Sequence, residues 1–319
     1  MAYYGSMQIG FFLAGGYSLL GAKLQGLTHK ISAKQARTDG LGDVWDEHTP
    51  TGSKMAEVSQ DGALFDDATN GLHDGWRNTT TSRVVCWTNE GNTAGKRFFG
   101  AQGVLGVAYE LMAKLQDLTK ANVTYTVNGV RDEGIILQPL AAQTADWNTE
   151  STGEVDYTTD PGQRVIPITS NSVANPTVVT TTVPHGLTSG DIILVSGANS
   201  TPTINGSRTV TVTSTTTFTI PVNVTSGGSA GTFVRANSSG GGAGYQQVTA
   251  LSGFTGYVGK VRDSADDVTY ADLVTFANVT SAPAAEIATV SGTVDRYLAV
   301  DGNVTGTGSI TVFIGFARR

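Results

Sequence analysis

With 319 residues, 39% of them hydrophobic, the chain is long enough for one large β domain or two smaller ones with real cores. Charged residues make up only 15%, and 20 Lys+Arg against 27 Asp+Glu leave a net charge of −7 with no basic cluster, which excludes a protein that grips nucleic acid through its phosphates. A single cysteine, Cys86, excludes an intramolecular disulfide framework, while 40 glycines and abundant threonine favour strands and turns over helices.

The run IGFFLAGGYSLLGAKL is interrupted by glycine, lacks a basic start and is too short to span a membrane. It reads as a buried strand pair, around Ile9–Leu13 and Ala22–Leu27, and the chain is expected to be made in a cytoplasm. The N-x-[ST] sequences at Asn78, Asn122, Asn223, Asn278 and Asn303 then follow from composition and not from glycosylation. From Ala36 to Asp67 periodicity is lost, which predicts a long loop of the kind that a partner orders. Its apolar residues Trp45, Met55, Val58, Leu64 and Phe65 suit anchoring on a neighbouring subunit.

RVVCWT and KRFFGA read as strands, with Cys86 a small hydrophobe in a strand interior. Val104, Ala108, Leu111, Leu115 and Leu118 recur at steps of four and three, which predicts one helix over 103–118, lying across a sheet, with Glu110 and Lys114 as an i,i+4 pair. In NVTYTVNGVRDEGIILQPLAAQ, apolar Val123, Tyr125 and Val127 alternate with polar residues, Asn128-Gly129 suits a tight turn and Pro139 marks an edge or bulge. A strand over Gly134–Ala145 would run ~35–40 Å at roughly 3.4 Å per residue.

Residues 165–236 form a Thr/Val-rich stretch with scarcely a charge, read as a small β module with a flexible Gly/Ser exit, NSSGGGAG. Strands on both sides make it an insertion into a discontinuous domain, 1–164 and 237–319. Past Tyr245, the segments YQQVTALSG, GYVGKVRDS, AAEIATVSG, DRYLAV and SITVFIGFARR read as successive strands, with hairpin signals at Asp301-Gly302 and around Gly306 and Gly308.

Nothing in the chain has the spacing of a catalyst. His29, His48, His73 and His185 form no metal set, and there is no G-x-S-x-G, P-loop or G-x-G-x-x-G. His185, in VPHGL, is expected to bond backbone at a Gly-mediated turn. The carboxylates Asp263, Asp266, Asp267 and Asp272 lack EF-hand spacing and read as caps of a solvated turn, with a weak Ca²⁺ site left open. No enzyme, cofactor or metal is expected.

The tract GYVGKVRDSADDVTYADLVTFANVTSAPAAEIATVSGTVDRYLAV, ending SITVFIGFARR, resembles the C-terminal half of the major tail tube proteins of long, flexible-tailed bacteriophages. FFLAGGYSLLGAKLQGL and the loop with TPTGSKMAEVSQDGALFDD are similar to their N-terminal half. The inserted HGLTSGDIILVSG segment resembles small β modules of phage structural proteins, often found on the particle surface. The resemblance implies an all-β fold: a β-sandwich with one flanking helix that closes into a β-barrel on oligomerisation, plus the small inserted module. It implies stacked hexameric rings around a channel for DNA, and tape measure, tail terminator and distal tail or baseplate proteins as further partners in a virion tail. Subunit or ring contacts are expected at Trp45, Asp46, Glu47, Met55, Phe65, Asp66, Asp67, Arg318 and Arg319. The acidic balance would keep duplex DNA from sticking to the channel. Two rival readings are a capsid decoration or head protein, and a carbohydrate-binding adhesin that uses Trp45, Trp76 and Trp147.

Overall fold

The computed structural model describes residues 11–15, 17–20, 26–37, 48–64, 82–88, 90–113, 118–127, 129, 131–150, 152–159, 163–238 and 240–319. Among these every strand pairing is antiparallel, and the one helical piece is a single turn at Tyr157–Thr159. The strands are β1 (Phe11–Ala14), β2 (Tyr17–Leu20), β3 (Gly26–Arg37), β4 (His48–Leu64), β5 (Arg83–Thr88), β6 (Arg97–Met112), β7 (Lys120–Val127), β8 (Arg131–Gln143), β9 (Trp147–Asn148) and β10 (Val155–Asp156). There follow β11 (Ile166–Asn171), β12 (Thr177–Thr181), β13 (Ile192–Ser196), β14 (Gly206–Thr209), β15 (Thr211–Val212), β16 (Thr217–Ile220) and β17 (Thr232–Arg235). Last come β18 (Gly242–Ser264), β19 (Ala271–Thr275), β20 (Ala284–Val290) and β21 (Tyr297–Arg318). β1–β10 and β18–β21 belong to one 14-stranded sheet, and β11–β17 form a separate seven-stranded sheet with its own core of Ile168, Val179, Ile193, Phe218 and Phe233.

The long strands β18 and β21 are the spine of the larger sheet, paired from Gly242↔Arg318 to Ser264↔Tyr297. A straight strand of 23 residues would reach ~75 Å. Instead the register slips three times between Val248 and Gly256, and each bulge adds twist and bend. The strand consequently folds onto itself: a Cβ placed on Gly259 would strike the Gln246 side chain, and one on Gly244 would come within 3.0 Å of Phe276 and 3.3 Å of Val274. Inside the fold, Val248, Ile310 and Val312 pack with Tyr257, Val261, Leu298 and Val300. On the opposite face Tyr245, Phe313 and Ala317 meet Leu13, Cys86 and Phe98 of β1, β5 and β6.

Three glycine signals have a different physical meaning from the one expected. Gly302 and Gly306 lie inside β21, not in hairpin turns. Gly302 is bare because the Trp147 indole lies against it, within 2.5 Å of where a Cβ would be. The GGGAG run is not a flexible exit either. Gly241 has φ +76° and Gly242 already pairs in β18, where a Cβ would enter the Phe316 ring. Ser238 pairs with Val294 through two hydrogen bonds, 3.0 and 2.7 Å, and its hydroxyl donates to the Arg319 carbonyl at 3.0 Å.

The helix expected over 103–118 is a strand through Met112, bonded to β7 from Val104↔Val127 to Met112↔Lys120. A register shift between Gly106 and Ala108 breaks the two-residue alternation, which imitates helical spacing in the sequence. The stripe does not face the core: Leu111 and Leu118 are 49% and 65% exposed, and Leu115 lies outside the described residues. The loop expected over 36–67 contains the 17-residue β4, paired with both β3 and β7. Its alternation is hidden by a polar residue in an inward position, Gln60, which is fully buried beside Val58 in register.

Asn128-Gly129 does not close a hairpin. β7 and β8 run on in one direction along β6, with Val127 opposite Val104 and Arg131 opposite Ala101. Pro139 does mark a bulge: β8 slips against β21 between Gln138 and Ala141, and the Asn92 amide supplies the missing ladder partner. It donates to the Leu140 carbonyl at 2.9 Å and accepts from the Leu140 N–H at 2.8 Å.

Candidate assembly surface

Four strands stand apart from the doubly covered centre of the sheet. β3, β4, β7 and the second half of β6 form an antiparallel ribbon in that order. One face of the ribbon is fastened to the body. Val58, Val123, Tyr125 and Val127, with Leu27, Ala56 and Tyr109, pack on Ala14, Val85, Trp87, Phe99 and Ala101. The strict alternation of β7, KANVTYTV, produces this: each odd position from Ala121 to Val127 is buried and each even one is half-buried.

Alternation places polar residues on the other face. Thr28 and Lys30 of β3, Glu57, Ser59 and Asp61 of β4, Lys120, Asn122, Thr124 and Thr126 of β7, and Glu110 of β6 share it by register. Lys30 lies directly opposite Glu57. Three carboxylates against two ammonium groups give these residues a net charge of −1 (2 − 3). Asn122 ties two strands together, its Oδ1 accepting from the Gly62 N–H at 2.7 Å.

Both long edges of the ribbon are open among the described residues. β3, 12 residues long, pairs with β4 alone, and residues 105–112 of β6 pair with β7 alone. Such edges present unpaired N–H and C=O groups that template pairing with another chain. Because the ribbon has four strands, its two edges run in opposite directions.

His29 fixes β3 to the body. Its ring lies 5.9 Å from Trp87 and 5.1 Å from Phe99, and its Nε2 is 2.8 Å from Arg131 Nη1. A guanidinium only donates, so Nε2 is the acceptor and the imidazole is neutral with its proton on Nδ1. Loss of water, then the Arg131 charge, holds the His29 pKa below its ordinary 6.5, against an opposing pull from Glu133.

Of the expected contact residues, Trp45, Asp46, Glu47, Phe65, Asp66 and Asp67 lie outside the described residues, and Met55 sits on β4. Arg318 and Arg319 are engaged within the chain. Arg318 donates to the Val294 carbonyl at 2.8 Å and the Asp295 carbonyl at 2.5 Å, and its guanidinium lies 4.0 Å above the Tyr157 ring centre. Arg319 grips Asp132 with Nε at 3.1 Å and Nη2 at 2.7 Å. Neither bond was foreshadowed by local sequence, since the partners lie 23 to 187 residues away.

The remaining polar candidates are structural. The His185 Nε2 bonds the Ser214 carbonyl at 2.9 Å and its Nδ1 accepts from the Leu187 N–H at 3.0 Å, next to Gly186 at φ +67°. Asp266 caps its own turn, accepting from the Val268 and Thr269 N–H groups at 3.0 and 2.9 Å, which holds its carboxyl below the usual range. No group of three or more metal-ligating side chains occurs among the described residues. Trp147 is stacked on Tyr257, with ring centres 5.5 Å apart and planes 9° from parallel, so one of its faces is taken.

Cys86 is fully buried, and burial pushes its thiol up to about 12. Iodoacetamide at pH 8 is therefore expected to leave the folded chain unlabelled and to label it stoichiometrically in urea. Rapid labelling without denaturant would contradict this burial.

No family model matches the chain. No curated protein matches it either. Among solved structures, it is similar to a chain in the tail of an empty gene transfer agent particle determined with C6 symmetry, at 12% identity over 41% of this chain and 97% of that one, TM-score 0.30. A chain from the sheath/tube terminator of an extracellular contractile injection system matches at 12% identity over 41% and 98%, TM-score 0.31. The SPP1 Dit protein of a phage adsorption hub matches at 10% identity over 97% and 99%, TM-score 0.24. At these TM-scores the likenesses carry no argument about fold or function.

Proposed function

We propose that this chain is a structural protein of a phage-type tail and polymerises as stacked hexameric rings that form the tail tube. The observation that carries the reading is the ribbon β3-β4-β7-β6, covered on one face except at its Ile31 and Leu111 ends, polar on the other apart from Ala108 and Met112, and open along two oppositely directed edges. Copies set side by side would pair β3 of one with β6 of the next, antiparallel throughout, and ring closure would leave no free edge. Six ribbons of four strands, spaced ~4.8 Å and tilted ~40°, would close a barrel with a backbone diameter of ~48 Å, wide enough for duplex DNA. Since the apolar face is occupied by the body, the polar face would line the channel. At ~3.3 Å per residue the 12 residues of β3 span ~40 Å, which at that tilt gives each ring an axial height of ~30 Å.

The motif resemblance to major tail tube proteins supports the same reading, and with it a virion location and contacts with tape measure, tail terminator and distal tail proteins. Within it, 1–164 and 237–319 are the tube-forming domain and 165–236 a module on its outer surface. The segments carrying Trp45, Asp46, Glu47, Met55, Phe65, Asp66 and Asp67, together with Arg318 and Arg319, would serve subunit and ring contacts. β8, which covers most of the strand expected over Gly134–Ala145, would not line the channel, since Ile135 and Leu137 face one core and Ile136 another.

Cysteine cross-linking tests the ribbon directly, because Cys86 is buried and silent. Single exposed edge positions, Thr28→Cys or Lys30→Cys on β3, are combined with Ala108→Cys or Glu110→Cys on β6. Oxidation should produce a denaturing-gel ladder that stops at six chains, with rings visible by negative-stain microscopy. A ladder ending at three would favour a decoration protein, and monomers alone would overturn the proposal.

A further inference from the structure

β3 is an edge strand, joined to the ribbon by β4 and to the body through Leu27 and the His29 ring. The polar part of that second attachment is a hydrogen bond that only neutral imidazole can accept. We propose that His29 is an acid-sensitive latch: neutral, it holds β3 on the body against Trp87, Phe99 and Arg131, and on protonation it lets this edge strand detach. A protonated ring would have two N–H donors and no acceptor, so the 2.8 Å approach to the Arg131 guanidinium would become a contact between two cations. Arg131 cannot retreat without loss, because its guanidinium sits 5.1 Å over the Phe99 ring and Phe99 is stacked on Trp87 at 5.6 Å.

The charges that face His29 are few. β8 supplies Arg131 and Glu133, and Glu133 is held by Arg97 of β6 at 3.0 Å. β5 and β6 present the uncharged rings of Trp87 and Phe99, and β4 presents Val58 directly opposite His29. Lys30, next on β3, belongs to the opposite face with its partner Glu57. His29 is exposed as a residue and its ring only partly desolvated, so protons reach it without prior unfolding.

The sign follows from linkage. The folded-state pKa lies below the ordinary 6.5, so the latch contributes in full above pH 6.5 and is lost as the pH falls from there to the folded value. Over that window one proton steepens local opening by at most about ten-fold per pH unit, and below it the effect levels off. If β3 also pairs with a neighbouring subunit, acid would loosen that edge; this consequence alone rests on the ring assembly proposed above.

The test uses the full-length chain and needs no assembly. Amide exchange of β3, corrected for intrinsic rates, is followed by mass spectrometry from pH 7.5 to 5 in wild type and in His29→Gln, whose side-chain carbonyl can accept from Arg131 without titrating. Opening of β3 should rise as the pH drops below 6.5 in wild type and stay flat in the variant, while β18 and β21 remain protected in both. The same rise in His29→Gln, or none in wild type, overturns the latch. An NMR titration of His29 in wild type gives a reading independent of the variant's folding: a midpoint below 6.5, with β3 amide shifts moving in parallel, is expected, and a midpoint at or above 6.5 refutes it. Failure of ring cross-linking at pH 7.5 would strike the assembly reading and leave the latch intact.

Discussion

Gly241→Ala is expected to lower stability by about 2–5 kcal/mol, read as a fall in the urea midpoint with an unchanged slope. Two costs combine. The residue has φ +76°, where a Cβ costs ~1–2 kcal/mol. That Cβ would also overlap the Val290 carbonyl oxygen and lie 2.9 Å from Ser291 Cα, and overpacking against backbone costs a further ~1–3 kcal/mol. Gly186→Ala is the matched control, with φ +67° and nothing within 4 Å, so only the backbone part, about 1–2 kcal/mol, should appear. A true linker would tolerate either change within ±0.5 kcal/mol. Should Gly241→Ala behave so, the rigid exit from the seven-stranded sheet into β18 is wrong. If it behaves as expected, the module and the 14-stranded sheet are joined by buried backbone on at least one side, through Ser238, Val294 and Arg319.

Much of the architecture was legible because one-sided burial writes itself into alternation. NVTYTV, RVVCWT and KRFFGA all became strands where their patterns put them, and Cys86 took the buried position its apolar neighbours implied. What misled was local disturbance of the period. The Gly106–Ala108 register shift made a strand imitate a helix, and polar Gln60 on an inward position made β4 imitate a loop. Bulges near Gly253 and Gly306 made each of two continuous strands, β18 and β21, look like separate strands joined by turns. In each case glycine or polarity served a long-range purpose, a bend or a close approach, that no short window records. The ribbon as an assembly surface was not legible at all. Its meaning lies in which edges remain unpaired, and that depends on pairings between residues as far apart as Val58 and Tyr125.

Asp132→Ala should cost about 2–4 kcal/mol, because one carboxylate on β8 joins three distant parts of the chain. Its two oxygens accept from Arg319 Nε and Nη2 at 3.1 and 2.7 Å and from the Tyr245 hydroxyl at 2.6 Å, and the residue is only 6% exposed. The two partners would respond differently to its loss. The Arg319 side chain is 36% exposed and can turn to solvent, so its share is discounted for screening. Tyr245 is fully buried, and its ring fills the space over Gly100, where a Cβ would come within 2.6 Å of it. Its hydroxyl has nowhere else to go, and an unsatisfied buried donor costs ~1–3 kcal/mol. Burial first, then Asp132, holds that phenol well above its ordinary pKa, so ionisation offers no escape at accessible pH. The double variant Asp132→Ala with Tyr245→Phe removes the orphan as well as its partner. It should therefore lie less than additively below wild type, by 0.5 kcal/mol or more in a denaturant-monitored cycle. Strict additivity would mean that the Tyr245 bond contributes nothing. In that case β8 would be held to β18 and β21 by its backbone ladder with β21, the Arg319 contact and the packing of Ile135, Ile136 and Leu137.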